Sequence, residues 1–288
     1  RAGALPAGGL ATWGVLLTAA TLFAVLRYGL GWSTELSVLL SVIISSTDAA
    51  AIFSILRRQS LPSKLSSTVE IESAANDPMA ILLTTIAVAS FASGEPLGLA
   101  TVASFFWKFG SAPVFGYLIA RVTIWTFNHL KPQDRGYYYV LFLAVVMLTY
   151  GLTELAQASG MLAVFTAGFY LGNSSFVHKQ GVLNFSEALS TVANVGMFVL
   201  MGLLVFPSEW SGLWTKGVML FLVLTFIARP VAVFLGTIGM SLGFKDRLFA
   251  SWAGLRGAVP IVLATYPAAA GLSVGNEVFN LVFFAVIL

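Results

Sequence analysis

Apolar runs of about twenty residues, the length that crosses a bilayer, follow one another along almost the whole chain. The charged residues sit singly or in short groups between them. That pattern decides the solvent. An aqueous globule of 288 residues needs a charged skin, and charged residues make up 9% here against about 25% in ordinary soluble domains. Disorder is excluded by the same balance, because it requires low hydrophobicity and high charge. With Pro, Gly and charge as boundaries, spans are expected near 10–30, 35–57, 65–92, 97–127, 137–157, 160–177, 185–206, 213–240 and 247–271. A further one begins near 277. The runs are too long for barrel strands and lack their alternation. The expected fold class is all-α: a polytopic membrane protein with about 9–10 transmembrane helices.

The loops sort by charge. One set carries Arg57, Arg58 and Lys64, then Lys131 and Arg135, then Lys179, then Lys245 and Arg247; the alternate set carries Glu35, Glu95, Glu209 and Glu277. The regular alternation supports the span assignments, and the positive-inside rule puts the basic set in the cytoplasm. Arg27 and Lys216, near the outer ends, are mild exceptions. The net charge of +3 is spread through these loops, so no basic face for nucleic acid is expected. There is no cysteine, hence no disulfide and no thiolate metal site. The whole of 1–288 reads as a single transmembrane domain. An opening at Arg1 and an end inside the run 279–288 suggest a fragment of something longer.

Ionisable residues inside a bilayer cost several kcal/mol and mark function by default. Asp48 closes the run Ser45-Ser46-Thr47-Asp48, the only dense polar stretch in its span. Such side chains compete for backbone hydrogen bonds, so the helix is expected to unwind there and expose carbonyl oxygens beside a carboxylate. The alternative is a polar cap satisfied by a neighbour. The next span holds Glu72-Ser73-Ala74-Ala75-Asn76-Asp77-Pro78. Helical spacing puts Glu72 and Asn76 on one face and Ser73 and Asp77 on the adjacent one. Pro78 removes a donor and frees the carbonyl of Ala74. Arg256, within Gly254-Leu255-Arg256-Gly257-Ala258-Val259-Pro260, needs an anion, and the 70–77 segment offers the nearest. Arg229, before Pro230, reads as a snorkelling side chain at a kink. Lys108 and Arg121 read as snorkelling or as lining a water-filled path, and Glu154 as solvated or paired.

Ser46-Thr47-Asp48, the Glu72–Pro78 segment and the Gly254–Pro260 segment, in this order, resemble the monovalent cation/proton antiporter family. The match is to its electroneutral branch, with Asn76-Asp77 where the electrogenic branch has Asp-Asp. The wording Thr47-Asp48-Ala49-Ala50-Ala51-Ile52-Phe53 is most similar to bacterial NhaP-type potassium/proton antiporters of the cell-volume-regulation group. The resemblance implies an inverted-repeat, NhaA-like fold with discontinuous helices, truncated here at both ends. It implies a core around 35–127 and 213–288, with the remaining helices toward a homodimer interface. The implied ion site is Asp77, Asp48, Thr47 and Ser73, held together by Asn76. The implied buried ion pair is Glu72 with Arg256, and the implied second broken helix is the one after that bearing Arg256.

The expected activity is electroneutral exchange of K+ or Na+ for H+ by alternating access, in a bacterial inner membrane, with no cofactor and no catalytic residue. Asp77 would hold a proton or a cation, never both. Oxygen ligands suit a hard cation. A gated potassium efflux channel uses the same buried acids, and an intramembrane aspartyl protease also pairs two Asp residues. The Gly-x-Gly-Asp pattern of the latter is absent.

Overall fold

Backbone polar groups inside a bilayer must be satisfied within the protein, and helices do this locally. The computed structural model of the chain describes residues 13–48, 63–94, 98–130, 134–203, 212–239 and 242–288, and all regular structure among them is helical. The helices are α1 (Val15–Ala24, continued by a π turn at Val25–Gly29), α2 (Thr34–Ile43), α3 (Ser63–Ser93), α4 (Leu99–His129), α5 (Gly136–Leu155), α6 (Gly160–Asn173) and α7 (Lys179–Leu203). Then come α8 (Trp214–Val223), a π turn at Leu224–Ala228, α9 (Arg229–Gly236), α10 (Phe244–Trp252), α11 (Ala258–Leu263), α12 (Thr265–Ala269) and α13 (Gly275–Ile287). Gly136–Leu155, Lys179–Leu200 and Trp214–Gly236 are long and apolar enough to cross a membrane. The charges at Arg57, Arg58, Glu95, Lys131 and Glu209 and the second half of the 35–57 span lie outside the described residues, as do the side chains of Lys64 and Glu70.

The chain divides into two compact units, Arg1–Pro96 with Leu200–Leu288, and Leu97–Val199. The helix at 97–127 packs with the second unit, and the helix at 10–30 with the first. Close backbone approach explains the former. Ala112, Gly116 and Ala120 of α4 lie at successive i+4 positions and meet Ala163 and Ala167 of α6. A Cβ on Gly116 would strike the Ala163 carbonyl and Thr166. Small residues let transmembrane helices pack this closely. Pro113 is accommodated inside α4, whose helical assignment continues to His129.

The first unit is built around Leu22 and Leu26 of α1, Leu39, Leu40 and Ile43 of α2, Leu220 of α8 and Leu281 of α13, all fully buried. Its two long spans break where polar and small residues interrupt them. The α2 helix begins at a Ser33 cap, whose hydroxyl accepts from the Leu36 N–H, and ends at Ile43, leaving 46–48 without regular structure. The 247–271 span stops at Trp252 and restarts at Ala258. This second break corrects an expectation. The interrupted helix is the one bearing Arg256 itself, whereas α13 is a single helix over Gly275–Ile287. Lys216 pairs with Glu277, so the Lys216 exception to the charge pattern is a neutralised one. Glu154 caps α6 by accepting from the Gly160 N–H at 2.8 Å.

Candidate ion-binding site

The two interruptions meet. The backbone N–H of Asp48 donates to the carbonyl of Leu255 at 2.8 Å, so the unwound end of α2 is tied to the gap between α10 and α11. Neither segment satisfies its own backbone there, and each supplies the group the other lacks. Gly257 makes the approach possible, because a Cβ on it would collide with the Asp48 side chain. That side chain thus lies against the residue preceding α11.

From the other side α3 presents the adjacent faces read from its spacing. Ser73 Oγ donates to the Thr47 carbonyl at 2.9 Å, and Asn76 Nδ2 donates to Thr47 Oγ1 at 2.7 Å. One helix thereby pins an irregular residue through both of its oxygens. Asp77, one position on, faces the Asp48 carboxylate and the Ser46 hydroxyl. Asn76 Oδ1 and Ser46 Oγ are buried and have no hydrogen-bond partner among the described residues. Buried acceptors left unpaired cost about 1–3 kcal/mol each, unless a ligand fills the space. Asp48, Asp77, Ser73, Asn76 and Thr47 therefore lie together at one location. Ser46 joins them, although only its place beside Thr47-Asp48 marked it.

The ion pair is a correction. Glu72 pairs with Arg229 at 2.7 Å, not with Arg256. Both partners are buried, at 1% and 4% exposure, so Arg229 does not snorkel. The π turn that precedes Arg229 carries an extra residue and re-aims the side chains beyond it. Arg229 also donates to the Ala250 carbonyl at 3.3 Å, and it passes over Gly254, where a Cβ would collide with it. The two glycines around Arg256 thus have separate tasks: Gly254 admits the Arg229 side chain and Gly257 admits Asp48. Arg256 is itself buried. It lines a cavity of about 420 Å3 shared with Arg229 and Ser251, and its guanidinium nitrogens lack hydrogen-bond partners among the described residues.

Chemically, two carboxylates and several neutral oxygens where these segments meet make a seat for a hard monovalent cation or for a proton. Discontinuous helices meeting in this way are a transporter device. Residues 2–288 match the family described as sodium/hydrogen exchanger, transmembrane. The chain belongs to the sodium/hydrogen exchanger family. It is a membrane protein, as this family is. Among individual relatives, it is 38% identical to the K(+)/H(+) antiporter NhaP2 of Shewanella oneidensis, over 98% of this chain and 50% of that protein. It is 31% identical to Na(+)/H(+) antiporter 1 of Methanocaldococcus jannaschii, over 82% of this chain and 57% of that protein. The chain thus spans about half the length of the curated relatives it matches. The solved structure of the sodium proton antiporter MjNhaP1 from Methanocaldococcus jannaschii at pH 8 superimposes with a TM-score of 0.84 and 25% identity, over 97% of this chain and 76% of that one. The all-helical antiporter fold expected from the sequence is therefore present.

Proposed function

We propose that this exchanger swaps a monovalent cation, K+ or Na+, for a proton by competition at Asp77. The cation is coordinated by Asp77 and Asp48, with neutral oxygens from Thr47 and Ser73. The orphaned oxygens of Asn76 and Ser46 complete the polar wall. Burial favours the protonated carboxylic acid, and a bound cation favours the carboxylate, so the two cargoes exclude each other. One charge is exchanged for one, and the cycle is electroneutral. Asn76 holds the unwound segment in register, and the Glu72–Arg229 pair fixes α3 against α9. Access alternates as the crossed helices move together. In this reading the protein works in a bacterial plasma membrane as a homodimer, and it carries no resident cofactor.

The observation that carries this reading is Asp77 facing Asp48 where the unwound end of α2 is tied to the gap between α10 and α11. Asp77→Asn keeps the shape and removes the titratable charge. In vesicles loaded with a fluorescent pH dye, a pulse of external K+ or Na+ should draw protons out and alkalinise the lumen in the wild type and leave it unchanged in Asp77→Asn. The variant's helical content and melting should be near normal. Undiminished exchange in that variant contradicts the mechanism.

A further inference from the structure

The exchange chemistry leaves the intramembrane cations Lys108 and Arg121 of the second unit without a task. Arg121 lies on α4, exposed, and belongs to neither described ion pair, which are Lys216–Glu277 and Arg229–Glu72. The helix is 31 residues long, hence about 46 Å, against about 30 Å of hydrocarbon. Centred, it extends about 8 Å beyond the core at each end. Arg121 sits about 12 Å before the last residue, His129, so its Cα lies near the hydrocarbon boundary at the basic, cytoplasmic end. A snorkelling guanidinium from that depth reaches the phosphate level.

Its surroundings are built rather than incidental. Tyr117, Arg121, Trp125 and His129 succeed one another at four-residue intervals and form one stripe. The phenols of Tyr117 and of Tyr170 on α6 lie beside the guanidinium, and their rings meet edge to face at 4.9 Å. Trp125 is exposed and stacks on His129 at 4.6 Å. Val114, Leu118 and Val122 on the same side are exposed and apolar. The close α4–α6 seam at Gly116 holds Tyr117 and Tyr170 on one platform.

We propose that this platform binds the headgroup of an anionic phospholipid. The planar guanidinium takes the phosphate in a bidentate grip. The two phenols add O–H donors, Trp125 sits at the interface, and the apolar flank receives an acyl chain. The leaflet facing the basic loops is the one rich in anionic lipid. Aromatic residues at headgroup depth with an apolar flank fit a lipid better than the carboxylate of a second copy, which would need no acyl-chain surface. The proposal is independent of the exchange mechanism.

Native mass spectrometry and melting of the purified protein in detergent, with phosphatidylglycerol or phosphatidylcholine added, test it. Wild type should bind phosphatidylglycerol at least about tenfold more tightly than phosphatidylcholine, the range for bonds to a charged group. Arg121→Gln should bring the ratio near one, Arg121→Lys should keep part of it, and Arg135→Gln in the following loop should leave it unchanged. If Arg121→Gln fails to fold, Tyr117→Phe with Tyr170→Phe should still reduce the preference. An unchanged preference in the foldable variants overturns the proposal. So does equal protection by inorganic phosphate at the same concentration, or loss of dimer on Arg121→Gln with no change in lipid binding.

Discussion

Helix threonines of the second unit and the polar groups around the unwound end of α2 in the first behave differently, and the contrast shows where a binding site can form. The threonine hydroxyls fold back on their own helices. Thr123 donates to the Ile119 carbonyl at 2.7 Å, Thr149 to Val145 at 2.6 Å, Thr153 to Thr149 at 2.7 Å and Thr166 to Leu162 at 2.8 Å. Each is one turn from its partner and asks nothing of another element. In the first unit, the side chains of Ser73 and Asn76 both reach across to Thr47, and the backbone N–H of Asp48 reaches the Leu255 carbonyl. Self-satisfied hydroxyls give a quiet wall packed through Gly116, Ala120, Ala163 and Ala167. Cross-segment bonds give an irregular backbone held open by its neighbours, with Asn76 Oδ1 and Ser46 Oγ still unpaired among the described residues.

The contrast can be broken by substitution, and the largest effect belongs to the buried ion pair. Glu72→Ala leaves Arg229 charged and without its anion at 4% exposure, which should cost about 3–5 kcal/mol in a reversible unfolding measurement. Glu72→Leu combined with Arg229→Met should recover most of that loss, because replacing a buried pair by apolar groups is close to neutral. If the single variant is no less stable than the double, the pair is not holding α3. Next come the two glycines that permit close approach. Gly257→Ala pushes a methyl into Asp48 and Gly116→Ala pushes one into the Ala163 carbonyl. Both should lower the melting temperature by overpacking, at about 1–3 kcal/mol. Only Gly257→Ala should also weaken cation affinity, measured as the half-saturating concentration in vesicle exchange. Equal loss of affinity in both would erase the distinction between the units.

Smaller effects sharpen the same contrast. Asn76→Ala removes a bond that spans two segments and leaves Thr47 Oγ1 without its donor, which should cost about 1–3 kcal/mol and reduce exchange. Thr153→Val removes a bond to its own helix, retains the branched shape and should cost at most about 1 kcal/mol with exchange unchanged. Thermal melts paired with vesicle assays separate the two.

The sequence exposed some of this and hid the rest for physical reasons. The break at 46–48 was visible because Ser45, Ser46, Thr47 and Asp48 stand together in an otherwise apolar run. The second break was not. Gly254, Arg256 and Gly257 are surrounded by Leu255, Ala258, Val259, Ile261 and Val262, so mean hydropathy stays high across the gap. The partner of Glu72 was also out of reach. Two buried arginines, Arg229 and Arg256, are equally economical by charge, and only the π turn at Leu224–Ala228 and the space over Gly254 choose between them. Ser46 differed from Ser45 in nothing that spacing could register, because an unwound segment has no period. The placement of the 97–127 helix depended on Ala112, Gly116 and Ala120, whose spacing only becomes informative once α6 is beside them.

The central claim is that one carboxylate seats the proton and the cation in turn, and proton release on binding tests it most directly. Titration of the purified protein with KCl or NaCl in weakly buffered detergent solution, monitored by a pH indicator, should show protons leaving in saturable proportion to the cation bound. Choline chloride should give no release, and Asp77→Asn should give none with any salt. Cation binding to folded wild-type protein without proton release, or equal release from Asp77→Asn, would contradict the account.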